Sequence, residues 1–405
     1  MRIWDIIVLS GQALKAHLLR TSLTVLGVII GVTSVIAIVS IVEGMNAKVA
    51  ELLNAMGPSV FMVEKIGIVT SEEEYFKMRK RKDLSIRDYR AIEQTCETCD
   101  KVAASVYTRR TLKFRNEKLN NVTVMGSSAN IIQINDLEID DGRFFSTFED
   151  DHSKEVVVVG PTVVEELYGE QNPIGRELKI GGYDYRILGI TKERGAILGN
   201  DLDRYVIIPL NSLRKHFGAN RTLSISVRAK SPETLQITMD EVRMLLRARR
   251  NVSYDEEDDF SITTSDAYME LYKQVTSAVR VTAIAIPAIA LVVAGIVVMN
   301  IMMVSVTERT REIGIRKSLG ARRKSILLQF VLEALLMSLG GGVVGIILGL
   351  ISAKALADAG SLPFVISPIA VFSGIFVSTG IGVIFGMYPA IKGSKLDPVD
   401  AMRYE

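Results

Sequence analysis

Between Thr307 and Lys324 the chain carries a dense run of charge, Thr-Glu-Arg-Thr-Arg-Glu-Ile-Gly-Ile-Arg-Lys-Ser-Leu-Gly-Ala-Arg-Arg-Lys, with a long apolar run on each side. Upstream, Val281 to Val306 holds no ionisable residue, and downstream Ser325 to Ala353 holds only Glu333. Each run exceeds the roughly 20 residues that a helix needs to cross a hydrocarbon core of about 30 Å. The charged run is therefore expected to be a short helix at one membrane surface, linking two spans. Thr21 to Val42 and a stretch within Ala359 to Ile391 also qualify, so the pattern predicts four transmembrane helices at 21–42, 281–306, 325–353 and 366–391.

A composition of 48% hydrophobic residues over 405 positions fits neither a purely soluble enzyme nor a compact multi-span channel. Orientation follows from Lys and Arg in the short connections. Positions 1–20 carry Arg2, Lys15 and Arg20, segment 307–324 carries seven basic residues, and the tail 392–405 carries Lys392, Lys395 and Arg403. The turn 354–361 carries only Lys354. Both termini and the charged segment are thus expected on the cytoplasmic side, with 43–280 outside. That outer region has 34 basic and 38 acidic residues, so no nucleic-acid surface is implied.

The first apolar run is too long for a signal-peptide core and lacks a small-x-small cleavage site, which favours a retained anchor. Residues 1–20 read either as an interfacial helix, with Trp4 and Ile6 to Leu9 against lipid, or as a plain extension of the first span.

The outer region reads as α+β. Val60–Glu64 and Val102–Tyr107 read as strands around a helix over Ser85–Thr95; Thr222–Ala229 and Phe260–Thr263 read as strands around a helix from Ser231-Pro232 to about Arg249. Two βαβ units separated by an insertion suggest a split ferredoxin-like lobe, 43–125 with 222–280. The insertion, 126–221, reads as β-rich: a strand at Glu155–Gly160, a helix at Pro161–Tyr168, a hairpin over Arg176–Thr191 turning at Gly181-Gly182, and a strand at Asp203–Leu210. A helix from about Ser265 is expected to run unbroken into the second span.

The charged segment, Glu308 to Ala321, resembles the signature loop of MacB-type permeases of ABC transporters, a group that includes the Lol permeases and FtsX. Tyr388-Pro-Ala-Ile-Lys-Gly-Ser-Lys-Leu-Asp-Pro-Val-Asp-Ala-Met-Arg-Tyr-Glu405 is similar to the terminal signature of the same group, and Val156 to Gly189, centred on Leu167 to Gly175, resembles its inserted region. The resemblance implies a homodimer of four-span subunits in the bacterial inner membrane, paired with cytoplasmic ABC ATPase subunits and possible partners in a periplasmic adaptor and an outer-membrane channel. It implies a non-catalytic subunit that transmits motion to its periplasmic domain to extrude substrate. The alternative is an FtsX-like lever regulating a periplasmic enzyme. No Gly-x-x-x-x-Gly-Lys-Ser/Thr loop occurs, so no cofactor is expected in this chain, and ATP and Mg are expected on a separate ATPase.

A coupling segment needs apolar groups that dock and charges that orient the docking. Ile313, Ile315 and Leu319 among Glu308, Arg311, Glu312, Arg316 and Lys317 supply both, while Gly314, Gly320 and Ala321 allow close approach and a helix end. The competing reading is an ordinary basic loop. Glu333, an acid inside a span, calls for a partner; an ion pair with a basic residue of the charged segment and a proton relay both remain open. Small residues recur at four-residue spacing, namely Gly27 and Gly31, then Gly341, Gly345 and Gly349, then Gly374, Ser378, Gly382 and Gly386. They mark helix-helix contacts, either within a subunit or between two.

Cys96-Glu-Thr-Cys99 is the chain's cysteine pair, and His17, His152 and His216 are scattered, so no metal site is expected. A local disulfide and two free thiols are both compatible with the spacing. The acidic run Asp255–Asp259 reads as a solvated turn, with cation binding as the alternative. Glu72–Glu74 followed by Lys77–Lys82 reads as an exposed loop or helix that could touch an adaptor or anionic headgroups. No nucleophile-base pair is visible.

Overall fold

Long apolar runs dominate the architecture because a helix is the only open segment that satisfies every backbone group in lipid. The computed structural model describes residues 18–54, 57–197, 200–360 and 362–402. Helix α1 (Leu18–Asn54) precedes the first strand. The α/β region contributes α2 (Glu72–Arg79), α3 (Ile86–Thr95), α4 (Ile131–Ile134), α5 (Thr147–Asp151), α6 (Pro161–Tyr168), α7 (Leu210–Phe217) and α8 (Leu235–Arg250). Then follow α9 (Ser265–Glu308), α10 (Thr310–Ser318), α11 (Arg323–Ala359), α12 (Pro368–Lys395) and α13 (Pro398–Met402). Helices α1, α9, α11 and α12 are long and apolar enough to cross a membrane. At 44 residues α9 is about 66 Å long, more than twice the hydrocarbon thickness. The expected interfacial helix over 1–20 lies largely outside the described residues.

The chain divides into two units, 1–47 with 275–405, and 48–274. Both divisions fall inside continuous helices, α1 and α9.

The second unit is built on a ten-stranded sheet. Strands β1 (Val60–Glu64), β2 (Cys99–Phe114), β11 (Ser224–Ala229) and β12 (Ser261–Thr264) lie in the order β12-β1-β11-β2, all antiparallel. With α3 following β1 and α8 following β11, this is the ferredoxin-like arrangement of two interleaved βαβ units. Helix starts follow local chemistry. Ser85 and Asp88 form a reciprocal capping box on α3, and Pro161 opens α6.

Apart from the two-residue strands β8 (Ala196–Ile197) and β9 (Asn200–Asp201), which pair with each other, the inserted strands do not form a sheet of their own. Strand β2 is longer than the Val102–Tyr107 expectation: Cys99–Ser105 pairs with β11, and Ser105–Phe114 continues as the partner of β3 (Glu117–Ser127). From β3 the sheet passes to β10 (Tyr205–Pro209), β5 (Val156–Val159), β7 (Tyr183–Thr191) and β4 (Ile139–Gly142), with β6 (Glu177–Ile180) bonded to β2 and β7. One long strand thus serves both lobes, and the expected lobe boundary at 126 falls inside β3. The β6–β7 hairpin turns at Gly181 and Gly182, whose φ of 55° and 105° suit glycine.

The acidic run is not simply solvated. Asp258 pairs with Arg243 and Arg247, Asp259 with Arg250, and Glu257 with Lys77 of α2. Helix α8 presents its arginines to this turn, a tertiary pairing that the sequence pattern alone does not specify. Cys96 and Cys99 are joined, with Cα atoms 5.5 Å apart. Glu241 of α8 accepts hydrogen bonds from the backbone N–H groups of Glu97 (2.8 Å) and Thr98 (3.1 Å) in that loop.

Candidate functional site

The charged segment folds as α10, separated from α9 by a break at Arg309 and from α11 by four residues. Its end is specified locally. Gly320 has φ +90°, its N–H donates to Lys317 O, and Ala321 N–H donates to Arg316 O at 3.0 Å. That is the Schellman pattern, which satisfies carbonyls a helix terminus would otherwise leave bare.

One face of α10 is seated on its own unit. Thr310, Ile313 and Gly314 are buried, and Ile313 belongs to the apolar cluster containing Val306, Ile326, Phe330 and Ala390. Gly314 lies against α13: a Cβ there would stand 2.8 Å from Ala401 Cβ. Lys317 Nζ donates to the carbonyl oxygens of Ser394, at 2.9 Å, and Leu396, binding the end of α12 to α10. Burial and the neighbouring Arg323 charge push the Lys317 ammonium below its ordinary range, with Asp397 acting against them.

The segment also grips α11. Arg309 donates to Glu333, with Nη1 to Oε2 at 3.3 Å; the Glu333 side chain is 3% exposed and that of Arg309 23%. Arg316 donates to Gln329 Oε1 at 2.7 Å and pairs with Glu312 one turn before it. Arg309 and Gln329 were not among the residues singled out from the sequence. The demand of a buried acid for a cation, with seven basic residues in 307–324, is the signal that could have found Arg309.

The other face is open. Arg311 and Glu312 are exposed, Ile315 is 46% exposed and Leu319 83%. The apolar trio expected to dock therefore divides: Ile313 is spent inside the chain, while Ile315 and Leu319 remain available. Of the basic residues, Arg311 points to solvent, whereas Arg316 and Lys317 are half-buried and bonded within the unit.

The small-residue stripes meet neighbours of the same chain. Gly27 and Gly31 of α1 face Ala294 and Leu291 of α9. Gly341, Gly345 and Gly349 of α11 face Val28, Val32 and Ile36 of α1, and Thr33 Oγ1 donates to Gly345 O at 3.0 Å. In α12, Gly382 and Gly386 face Ala334 of α11, Ser378 faces Gly342, and Gly374 faces Ile346 and Ile36. All nine singled-out positions thus pack within one subunit.

Residues 21–245 match a family model described as the MacB-like periplasmic core domain, and 284–398 match the FtsX-like permease C-terminal model. The chain is 33% identical over 406 residues to an uncharacterized ABC transporter permease, YknZ, of Bacillus subtilis, covering 97% of both chains. It is 32% identical over 400 residues to the macrolide export ATP-binding/permease protein MacB of Bdellovibrio bacteriovorus, covering 97% of this chain and 61% of that protein. The chain therefore spans about three-fifths of the MacB relatives' length. Among solved structures, the periplasmic region of MacB from Actinobacillus actinomycetemcomitans aligns with 56% of this chain and 98% of that one, at TM-score 0.46 and 17% identity. With both family models matched in order and YknZ aligned along nearly its whole length, this chain belongs to the MacB/FtsX-like family of ABC transporter permeases.

Proposed function

We propose that this chain is the non-catalytic permease subunit of an ABC transporter in the bacterial inner membrane, with both termini cytoplasmic and 43–280 in the periplasm. It works as a homodimer with separate ATPase subunits that bind ATP and Mg, and drives extrusion of a periplasmic or outer-leaflet substrate. The observation that carries the reading is the two-faced α10. One face is locked to α11, α12 and α13 through Arg309, Ile313, Gly314, Arg316 and Lys317. The other offers Arg311, Ile315 and Leu319 outward. A force applied to the open face reaches α11 and α12 through hydrogen bonds and α13 through close packing, which is the requirement for transmitting ATPase movement.

The test is co-purification from native membranes in mild detergent. Arg311→Glu combined with Leu319→Ser changes only the outward face and is expected to lower ATPase recovery about tenfold or more while the chain still folds and inserts. Full recovery with unchanged ATPase activity would sink the assignment. Reversal of Arg316 is a poorer probe, because it also breaks the Gln329 and Glu312 contacts. Recovery of an adaptor or outer-membrane channel supports export. Recovery of only a cell-wall hydrolase or its activator supports the regulatory lever instead.

A further inference from the structure

The α/β unit contains a cavity of about 280 Å³ that the coupling reading does not use. Its floor is a cross-strand row: Tyr107 of β2 stands opposite Met125 of β3, which stands opposite Ile207 of β10. Side chains in register on adjacent strands share a face, so three residues far apart in sequence make one apolar surface. Met125 is 9% exposed and Ile207 2%, while Tyr107 is 52% exposed, at the mouth. Ile131, after β3, and Leu202, before β10, stand on the walls.

The polar groups at this cavity are unequally committed. Asp201 accepts a hydrogen bond from Asp203 N–H at 2.7 Å, and Arg204 has Glu166 3.6 Å away. Arg194 is exposed on the wall, and its guanidinium has neither an ion pair nor a hydrogen bond among the described residues. Asn135, also on the wall, has its Oδ1 buried with no hydrogen-bond partner among the described residues. Buried acceptors in folded proteins are nearly always satisfied, so an orphan beside a cavity marks a position a ligand donor can fill.

We propose that this cavity binds a small amphipathic carboxylate: an apolar or aromatic body on the Tyr107–Met125–Ile207 floor, the acid on Arg194, and one hydrogen-bond donor toward Asn135. The volume suits a molecule of a dozen or so heavy atoms. A guanidinium fork free of internal partners matches a carboxylate in a bidentate manner. With Asp201 nearby, the site holds too little net positive charge for a polyanion. The site would make the α/β unit a receptor for a solute as well as a moving part.

The test uses the full-length chain in nanodiscs of zwitterionic lipid, with N-acetyl-L-phenylalanine as the probe and saturation-transfer NMR as the readout. Saturable binding is expected. It should weaken about tenfold or more for the uncharged N-acetyl-L-phenylalanine amide and for Arg194→Gln, and partly recover with Arg194→Lys. Arg194 is exposed, so both variants should keep the wild-type circular dichroism and melting temperature. Should Arg194→Gln fail that check, Leu202→Glu, which places an acid on the wall, is expected to abolish binding in the same assay. Equal binding of acid and amide, undiminished binding by folded Arg194→Gln, or no saturation up to about 10 mM probe would each overturn the proposal.

Discussion

The membrane-helix unit and the α/β unit solve the packing problem in opposite ways. In the former, contacts are made where side chains are smallest: Gly382 brings the α12 backbone against Leu335 and Ala334, and Gly349 sits under Ile36. Lipid is as apolar as a leucine side chain, so helices gain little by burying apolar surface against each other and depend on close approach. In the α/β unit, the core is made of large branched residues; all four valines of β5 are buried, as are Ile187, Ile208 and Leu178. There, removal of apolar surface from water supplies the drive. The first unit should therefore be intolerant of added volume and the second of lost volume.

The largest expected effect tests the first half of that contrast. Gly382→Leu would put side chain within 2.9 Å of Leu335 Cα, where backbone must move, and should cost about 4 kcal/mol or more. Size-exclusion of the solubilised chain should lose its monodisperse peak. Gly380→Leu, on the same helix with nothing within 4 Å, should behave as wild type; equal damage from the two would break the comparison.

Next comes Ile187→Ala in the fully buried core, with a cost of about 2–5 kcal/mol. Hydrogen exchange of the α/β strands reads it out, and protection in α11 and α12 should change far less.

A smaller effect, about 1–3 kcal/mol, is expected for Arg309→Gln, which leaves Glu333 buried without its cation. Glu333→Gln, which removes the buried charge, should be milder. If Glu333→Gln proves the more damaging of the two in thermal melts, the pair is not the reason the acid is tolerated.

The smallest effects lie in acid. Arg143, with Ser146, holds the Glu149 carboxyl down at about 2, so its contribution is present above about 4.5 and lost as pH falls toward 2. Burial pushes neighbouring Asp150 up to about 6, so stability drains as pH rises from about 4 to 6. Denaturant midpoints of Glu149→Gln and Asp150→Asn at pH 3, 5 and 7 should remove slopes of opposite sign. Parallel profiles would contradict one of the two environments.

Much of the architecture was legible because it rests on short-range rules. Val60–Glu64 and Pro161–Tyr168 match the sequence expectation residue for residue, since a short apolar run after Gly57-Pro58 and a Gly-Pro helix start are local signals. Strand β3, with Asn120-Asn121 in its middle and polar positions facing out, carries too little periodicity to announce itself, and α7, as long as α6, has Pro209 at its N-cap and no side-chain cap to mark its start. In α10 the helix, its Gly320 terminus and its charge were readable, but the division of Ile313 from Ile315 and Leu319 was not. Helical spacing says that these residues cannot all share one face. Which face is covered depends on α13, more than 80 residues further along the chain.

By itself the sequence determined four membrane helices, an α+β insertion and a charged connector, because backbone satisfaction in lipid and side-chain periodicity act over one or two turns. Tertiary structure alone decided that β2 runs through both lobes, that the glycine stripes close inside one subunit, and that Arg309 answers Glu333. Each depends on which distant surfaces meet, and contact between residues far apart in sequence leaves no local period to read.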